Sequence, residues 1–293
     1  MTIDSHQHFW RFDPVRDSWI TEDMQVLRRD FLPAELTREM ASGGVDACIA
    51  VQADQSEAET DFLLDLAAKN VAITGVVGWT DLRSPRLAER LEHYARKPKL
   101  RGFRHIVQAE PDRRFLLRPD FLAGVRTLRQ HNFTYDILIY ANQLPAAIDF
   151  VAACPGQRFV LDHIAKPAIA KWQRGPGEFA DWQSGIQRLA SSPEVFCKLS
   201  GLVTEASWKT WRPGDFTPYL DVVFDAFGAG RLMFGSDWPV CLLAASYSQV
   251  KKLIADYVAP LPLAQREGIF GGNAVRFYGL PAGHLAAVEG PAN

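Results

Sequence analysis

Two histidines, His6 and His8, stand two residues apart in the N-terminal stretch IDSHQHFW. If that stretch is a β-strand, both imidazoles share one face, with Asp4 beneath them. Two imidazoles aimed at one point can ligate a metal or polarise a carbonyl, although H-x-H spacing also fits two ordinary surface histidines. A carboxylate far along the chain, Asp237 in MFGSDWPV, offers the pair a partner. It sits between Ser236 and Trp238 at the end of an apolar run, where a strand terminus has little structural use for a charge. A third imidazole, His163, ends the run RFVLDH. A carboxylate that takes a proton from water, beside imidazoles that stabilise charge on a carbonyl oxygen directly or through a divalent metal, can hydrolyse an ester, lactone or amide. No G-x-S-x-G elbow and no Cys/His arrangement supplies a covalent nucleophile, so water is the expected attacker.

Short apolar runs that could carry these residues recur at 2–8, 45–52, 72–79, 100–107, 133–139, 158–163, 195–201 and 231–238. They are rich in Val, Ile and Phe, as strands of a parallel sheet should be. Amphipathic stretches at 34–42, 56–70, 84–97, 119–131, 143–153, 178–191, 215–227 and 246–258 read as helices. Ser56 with Glu59 three residues on is a capping box, and Ser84-Pro85 reads as an N-cap followed by a first-turn proline. Gly43, Gly44, Gly228 and Gly230 follow helices where left-handed caps belong. Eight strands alternating with helices in 293 residues predict an α/β protein, a (β/α)8 TIM barrel. The rival, a doubly wound open sheet, lacks its Gly-rich turn after the first strand. With no internal linker or repeat, 1–280 reads as a single catalytic domain and 281–293 as a loose C-terminal tail.

In such a barrel the carboxyl ends of the strands make the active-site face. His6 and His8 fall there, as do Arg104-His105, Tyr135-Asp136, Asp162-His163 followed by Lys166, Lys198, Ser200 and Asp237. Neighbours in a strand point opposite ways, so only one of Asp162 and His163, and one of Arg104 and His105, faces the axis while the strand lasts. His163 shares its parity with Phe159 and Leu161 and fits a satisfied core histidine as well as a catalytic one. Lys198 fits a buried ion pair as well as a catalytic amine, with Asp136 a natural partner.

The net charge of −2 gives no electrostatic reason to bind nucleic acid or an anionic membrane. No signal-like start and no run of 18 apolar residues is present. Cys48, Cys154, Cys197 and Cys241 are scattered without C-x-x-C spacing and read as reduced thiols of a cytoplasmic protein. Oligomeric state is not legible.

Together, IDSHQHFW, LRGFRH, FVLDHIAKP, CKLSGLVTEASW and MFGSDWPV, ending in NAVRFYGL, resemble the amidohydrolase superfamily. Within it the chain is similar to the sugar-lactone hydrolases, the L-fucono- and L-rhamnono-lactonases, from Ile3 to Leu280. The resemblance implies a barrel that opens a neutral, L-fuconolactone-like aldonolactone to the sugar acid. It makes His6 and His8 the strand-one pair, His163 the strand-six histidine and Asp237 the general base. Arg104 and His105 would face the lactone carbonyl or its hydroxyls, with Trp10, Tyr135, Lys166 and Trp238 in the pocket wall. The middle-strand lysine or glutamate of binuclear members has no counterpart here. The expected cofactor is therefore at most one divalent ion, zinc or manganese, on His6, His8 and Asp237, with His163 an optional ligand. A metal-free route stays open, because a lactone is an activated ester. Two other readings are a metal-dependent decarboxylase on the same barrel and a catalytically silent barrel that only binds.

Overall fold

Eight parallel strands follow one another around the sheet in the order in which the chain makes them. In the computed structural model these are β1 (Ile3–Gln7), β2 (Ala47–Val51), β3 (Ile73–Gly78), β4 (Leu100–His105), β5 (Thr134–Ile137), β6 (Phe159–Leu161), β7 (Val195–Leu199) and β8 (Leu232–Phe234). Residues 1–172 and 177–281 are described; all but the first residue of the stretch read as a loose tail lies outside them. β1 and β8 meet through the parallel bridge Gln7–Trp238, where His8 N donates to Trp238 O at 2.7 Å and Asp237 N donates to His6 O at 2.8 Å. The (β/α)8 barrel expected from the alternation is the architecture found. No helix of the described residues is long and apolar enough to cross a membrane.

Helices cover the outside of the sheet for the reasons their sequences suggest. The helix Glu57–Lys69 buries Thr60, Leu63 and Ala67, three and four residues apart, against the strands. Ser56 Oγ accepts from Glu59 N at 3.2 Å, a working N-cap. Glu59 does not close the expected box; its carboxylate instead accepts from the backbone N–H of Ala53, at 2.9 Å, and of Asp54. The helix expected to start at Pro85 begins at Leu87, because Ser84 Oγ is taken up in a turn with Arg86 N at 3.2 Å. Gly44 supplies the left-handed residue after the helix Pro33–Gly43, at φ 61°.

Inside, Ile3, Ala47, Ile49, Val51, Val77, Val160 and Met233 form one buried apolar cluster with Phe277 and Tyr278 of the last helix, Asn273–Tyr278. Burying a large apolar side chain stabilises by about 1.5–3 kcal/mol. This plug confines polar chemistry to the upper half of the barrel.

Irregularities in β1 and after β6 shape the upper half. The register of β1 on β2 shifts between Asp4 and Gln7, so Ile3 belongs to the interior plug and yet His6 and His8 also reach the axis. Asp4 therefore does not lie beneath them; its carboxylate accepts from Ser236 N at 2.8 Å and Ser236 Oγ at 2.5 Å. After β6, His163, Ile164, Ala165 and Lys166 take φ values of 54°, 48°, 61° and 45°, four left-handed residues without a glycine. Each such residue costs about 1–2 kcal/mol, a strain that the surrounding structure must hold in place.

Candidate active site

Above the apolar plug, three imidazole nitrogens converge on one carboxylate oxygen. Asp237 Oδ1 lies 3.9 Å from His6 Nε2, 3.4 Å from His8 Nε2 and 3.9 Å from His163 Nε2, and all four side chains are buried. Asp237 reaches this point because β8 ends at Phe234 and the chain turns, with Asp237 itself left-handed at φ 58°. The strained turn after β6 does the same for His163, so Asp162 and His163 both face inward despite their opposite parity.

The far side of two of these rings is held. His8 Nδ1 lies 2.8 Å from Val51 O, and since a carbonyl only accepts, Nδ1 carries the proton and Nε2 offers its lone pair towards Asp237. A carbonyl on the remote nitrogen is the usual way a metal-ligating histidine is oriented. His163 Nδ1 lies 2.9 Å from Ser200 Oγ, a hydroxyl able to donate or accept, so His163 can present either an N–H or a lone pair.

Burial alone would raise the Asp237 carboxyl; the neighbouring His163, His8 and His6 more than offset it and hold the group well below the usual carboxylate range. Burial pushes His6 down well below its ordinary value and His163 to about 4. Near neutral pH the site therefore sets an ionised carboxylate beside the neutral imidazoles of His6 and His163, a setting that suits a divalent cation. Zinc ligands at 2.0–2.1 Å stand about 3.3 Å from one another in tetrahedral geometry. The ligand atoms of His6, His8 and Asp237 all lie within 4.8 Å of one another, so these three could hold one such ion after a small inward adjustment.

The ligand atoms of His6, Asp162 and His163 also lie within 4.8 Å of one another and form a second candidate group, but the chain's own cations fill it. Lys198 Nζ lies 3.0 Å from Asp162 Oδ1 and 3.1 Å from His6 Nδ1, while Arg104 Nη1 lies 3.1 Å from Asp162 Oδ2. Lys198 also meets Asp136 Oδ2 at 2.5 Å, and Tyr278 OH donates to the same oxygen at 3.0 Å. Arg104 further donates to Gln52 O. Two cations face two carboxylates in a fully buried layer, so Lys198 and Asp136 are an ion pair of the barrel interior. Burial would raise Asp162, but Lys198, His6 and Arg104 hold it well below its ordinary value; burial raises Asp136 to about 6 despite Lys198.

Over this centre lies a cavity of about 430 Å³ whose lining includes His8, Arg104, His163, Lys166 and Asp237. Four residues expected in its wall are absent from it. β4 continues through His105, so alternation turns the ring outwards, where it stacks on Phe115 at 4.8 Å and meets Glu110 Oε1 at 2.7 Å. Tyr135, opposite in parity to Asp136, packs edge-on against Phe150 at 5.6 Å and Phe159 at 6.2 Å. Trp10 lies beyond β1, its Nε1 donating to Arg29 O at 2.9 Å and its ring against Phe31 at 5.4 Å. Trp238 packs edge-on against the other side of this cluster, 5.2 Å from Phe31. Gln55, Gln108, Trp19, Tyr140, Glu205 and Trp208, none of them singled out in the sequence, take their place. Only Glu205 and Trp208 carried a signal, since both stand in CKLSGLVTEASW.

An amidohydrolase family model matches residues 3–280 of this chain. The L-fucono-1,5-lactonase of Burkholderia multivorans is 47% identical, covering 96% of this chain and 97% of its own length. The L-fucono-1,5-lactonase of Burkholderia ambifaria is 35% identical, covering 94% of each chain. A crystal structure of an amidohydrolase from Burkholderia multivorans with bound zinc superposes with a TM-score of 0.91 at 47% identity, covering 96% of this chain and 100% of that one.

Proposed function

The chain belongs to the amidohydrolase family, and from that premise we propose that it hydrolyses a neutral sugar lactone of the L-fuconolactone kind to the sugar acid, with residues 1–280 as one catalytic domain. The observation that carries the chemistry is the convergence of His6, His8 and His163 on ionised Asp237 at the floor of a cavity of about 430 Å³. Asp237 takes a proton from the attacking water as the water oxygen bonds to the lactone carbonyl carbon. Arg104 and His163, both in the cavity lining, supply donors for the charge that grows on the carbonyl oxygen. Collapse breaks the bond to the ring oxygen, which recovers the proton from Asp237 and leaves as the hydroxyl of the open acid. One divalent ion, zinc by the nature of the donors or manganese, held by His6, His8 and Asp237 with His163 as a fourth ligand, would polarise the carbonyl and acidify the water.

The cavity suits a neutral polyol. Arg104 and Lys166 are balanced there by Asp237 and Glu205. Trp19, 41% exposed, and Tyr140, 43% exposed, give its rim flat apolar surfaces for one face of a sugar ring. The two lactonase relatives favour ring opening over a decarboxylase on the same barrel. The test is proton release from L-fucono-1,5-lactone by chelator-treated protein and by the same protein resupplied with zinc or manganese. Ring opening in either arm supports the reading; none in both would sink it.

A further inference from the structure

Two charges in the cavity wall face each other beyond hydrogen-bond reach. Lys166 Nζ lies 3.8 Å from Glu205 Oε1, and the two side chains are 17% and 20% exposed. That separation is beyond a hydrogen bond. Among the described residues no other hydrogen bond to either charged group is seen. Both groups are delivered by special local structure. Lys166 is the last of the four left-handed residues after β6, and Glu205 ends the short helix Leu202–Glu205 that follows β7. Trp208, also in the wall, is pinned beside them by its Nε1 donating to Thr204 O at 2.9 Å.

A partly desolvated ammonium and carboxylate held just out of bonding distance leave donor and acceptor valences open to the cavity. We infer that Lys166 and Glu205 form a hydroxyl-reading pair that selects lactones carrying adjacent ring hydroxyls. One hydroxyl of a vicinal diol donates to the Glu205 carboxylate, and its neighbour accepts from the Lys166 ammonium. A diol bridging the gap satisfies both charges at once, which a lactone without hydroxyls cannot do. Burial raises the Glu205 carboxyl although Lys166 opposes it, which fits an acceptor poorly satisfied before substrate arrives. Such a site discriminates strongly, because the wrong substrate leaves its polar groups unpaired. This inference rests on the lactonase reading and adds to it the feature of the substrate that the wall recognises.

The test compares kcat/KM for L-fucono-1,5-lactone and for δ-valerolactone, which has the ring without the hydroxyls, using metal-replete full-length protein. Glu205→Gln and Lys166→Met should each lower the ratio of the two values about 10- to 100-fold, the worth of a hydrogen bond to a charged group. A loss of folded protein acts on both substrates alike and cancels in the ratio. A ratio within twofold of the parent's in both variants would overturn the inference, whether the two rates fall together, which would place the pair in the chemistry, or neither falls. A parent protein that opens neither lactone would fail earlier and defeat the lactonase reading itself, so the two failures are told apart.

Discussion

Within the barrel interior Lys198 and Arg104 lie against Asp136 and Asp162, whereas at the mouth three imidazoles lie against the single carboxylate of Asp237. The inner layer largely closes its charge on itself, with Asp136 Oδ1 and Arg104 Nε left without a hydrogen-bond partner among the described residues. The outer one sets an uncompensated anion among nitrogen donors, which is what a cation or a transferable proton requires. His6 belongs to both, with Nδ1 towards Lys198 and Nε2 towards Asp237. Charge compensation thus separates a layer paired within the barrel from one open to a ligand, and the two should fail differently when broken.

The largest effect expected is on chemistry. Asp237→Asn keeps the shape and removes the base, and kcat/KM should fall about 10²- to 10⁴-fold while the far-UV circular dichroism spectrum stays that of the parent. Turnover within tenfold of the parent would remove Asp237 from the role. Lys198→Met should do the reverse and act first on folding. It leaves Asp136 and Asp162 short of a counter-charge, and losing one partner of a buried pair costs about 3–5 kcal/mol. Urea unfolding measures it, and adding Asp136→Leu should return part of the loss. Equal stability of Lys198→Met and the parent would mean that the inner layer is not an ion network at all.

Metal content sharpens the same contrast at smaller scale. If Lys198 and Arg104 occupy the second candidate group, atomic spectroscopy should find one divalent ion per chain, and two would contradict it. Chelation should lower the melting temperature, because free ion at 100 times its Kd stabilises the folded state by about 2.7 kcal/mol. A melting temperature indifferent to chelator and to added zinc would argue that the imidazoles act without an ion.

How much of this was legible in the sequence depended on whether backbone alternation held. The barrel was, because strand and helix periodicities repeat without interruption from Ile3 to Leu280. His6, His8 and Asp237 were, because they lie at or just past the carboxyl ends of β1 and β8. Where alternation held to the strand's last residue it placed His105 and Tyr135 outside, against what the resemblance implied. Where it broke, after β6, four left-handed residues brought Asp162 and His163 to the same side, and nothing in DHIAK announces them. Gln55, Gln108 and Trp19 lie on connections whose path depends on contacts distant in sequence. Glu205 was within sight of the motif that carried it, but its role depends on Lys166 across the cavity.

The contrast between compensated and uncompensated carboxylates extends to the flank of the barrel. Among the described residues Glu59 has no cation at hydrogen-bonding distance; its carboxylate holds the backbone of Ala53 and Asp54, the connection that leads to Gln55 in the cavity wall. Burial pushes it up to about 8, although the Ala53 and Asp54 N–H groups oppose this. A carboxyl raised on folding keeps its proton in the native state while the unfolded chain releases it. Its contribution is therefore full below about pH 4.5 and is lost as pH rises towards 8. Glu59→Gln does not titrate and should flatten this dependence. Between pH 5 and pH 8.5 the parent should lose stability relative to the variant by about 1–4 kcal/mol, the upper figure being the full shift from 4.5 to about 8, read from paired urea titrations at the two pH values. Groups common to both proteins cancel in that difference. Parallel stability curves would mean that Glu59 is ionised in the folded state, and that the backbone N–H groups alone compensate a buried charge where the barrel interior uses lysine and arginine.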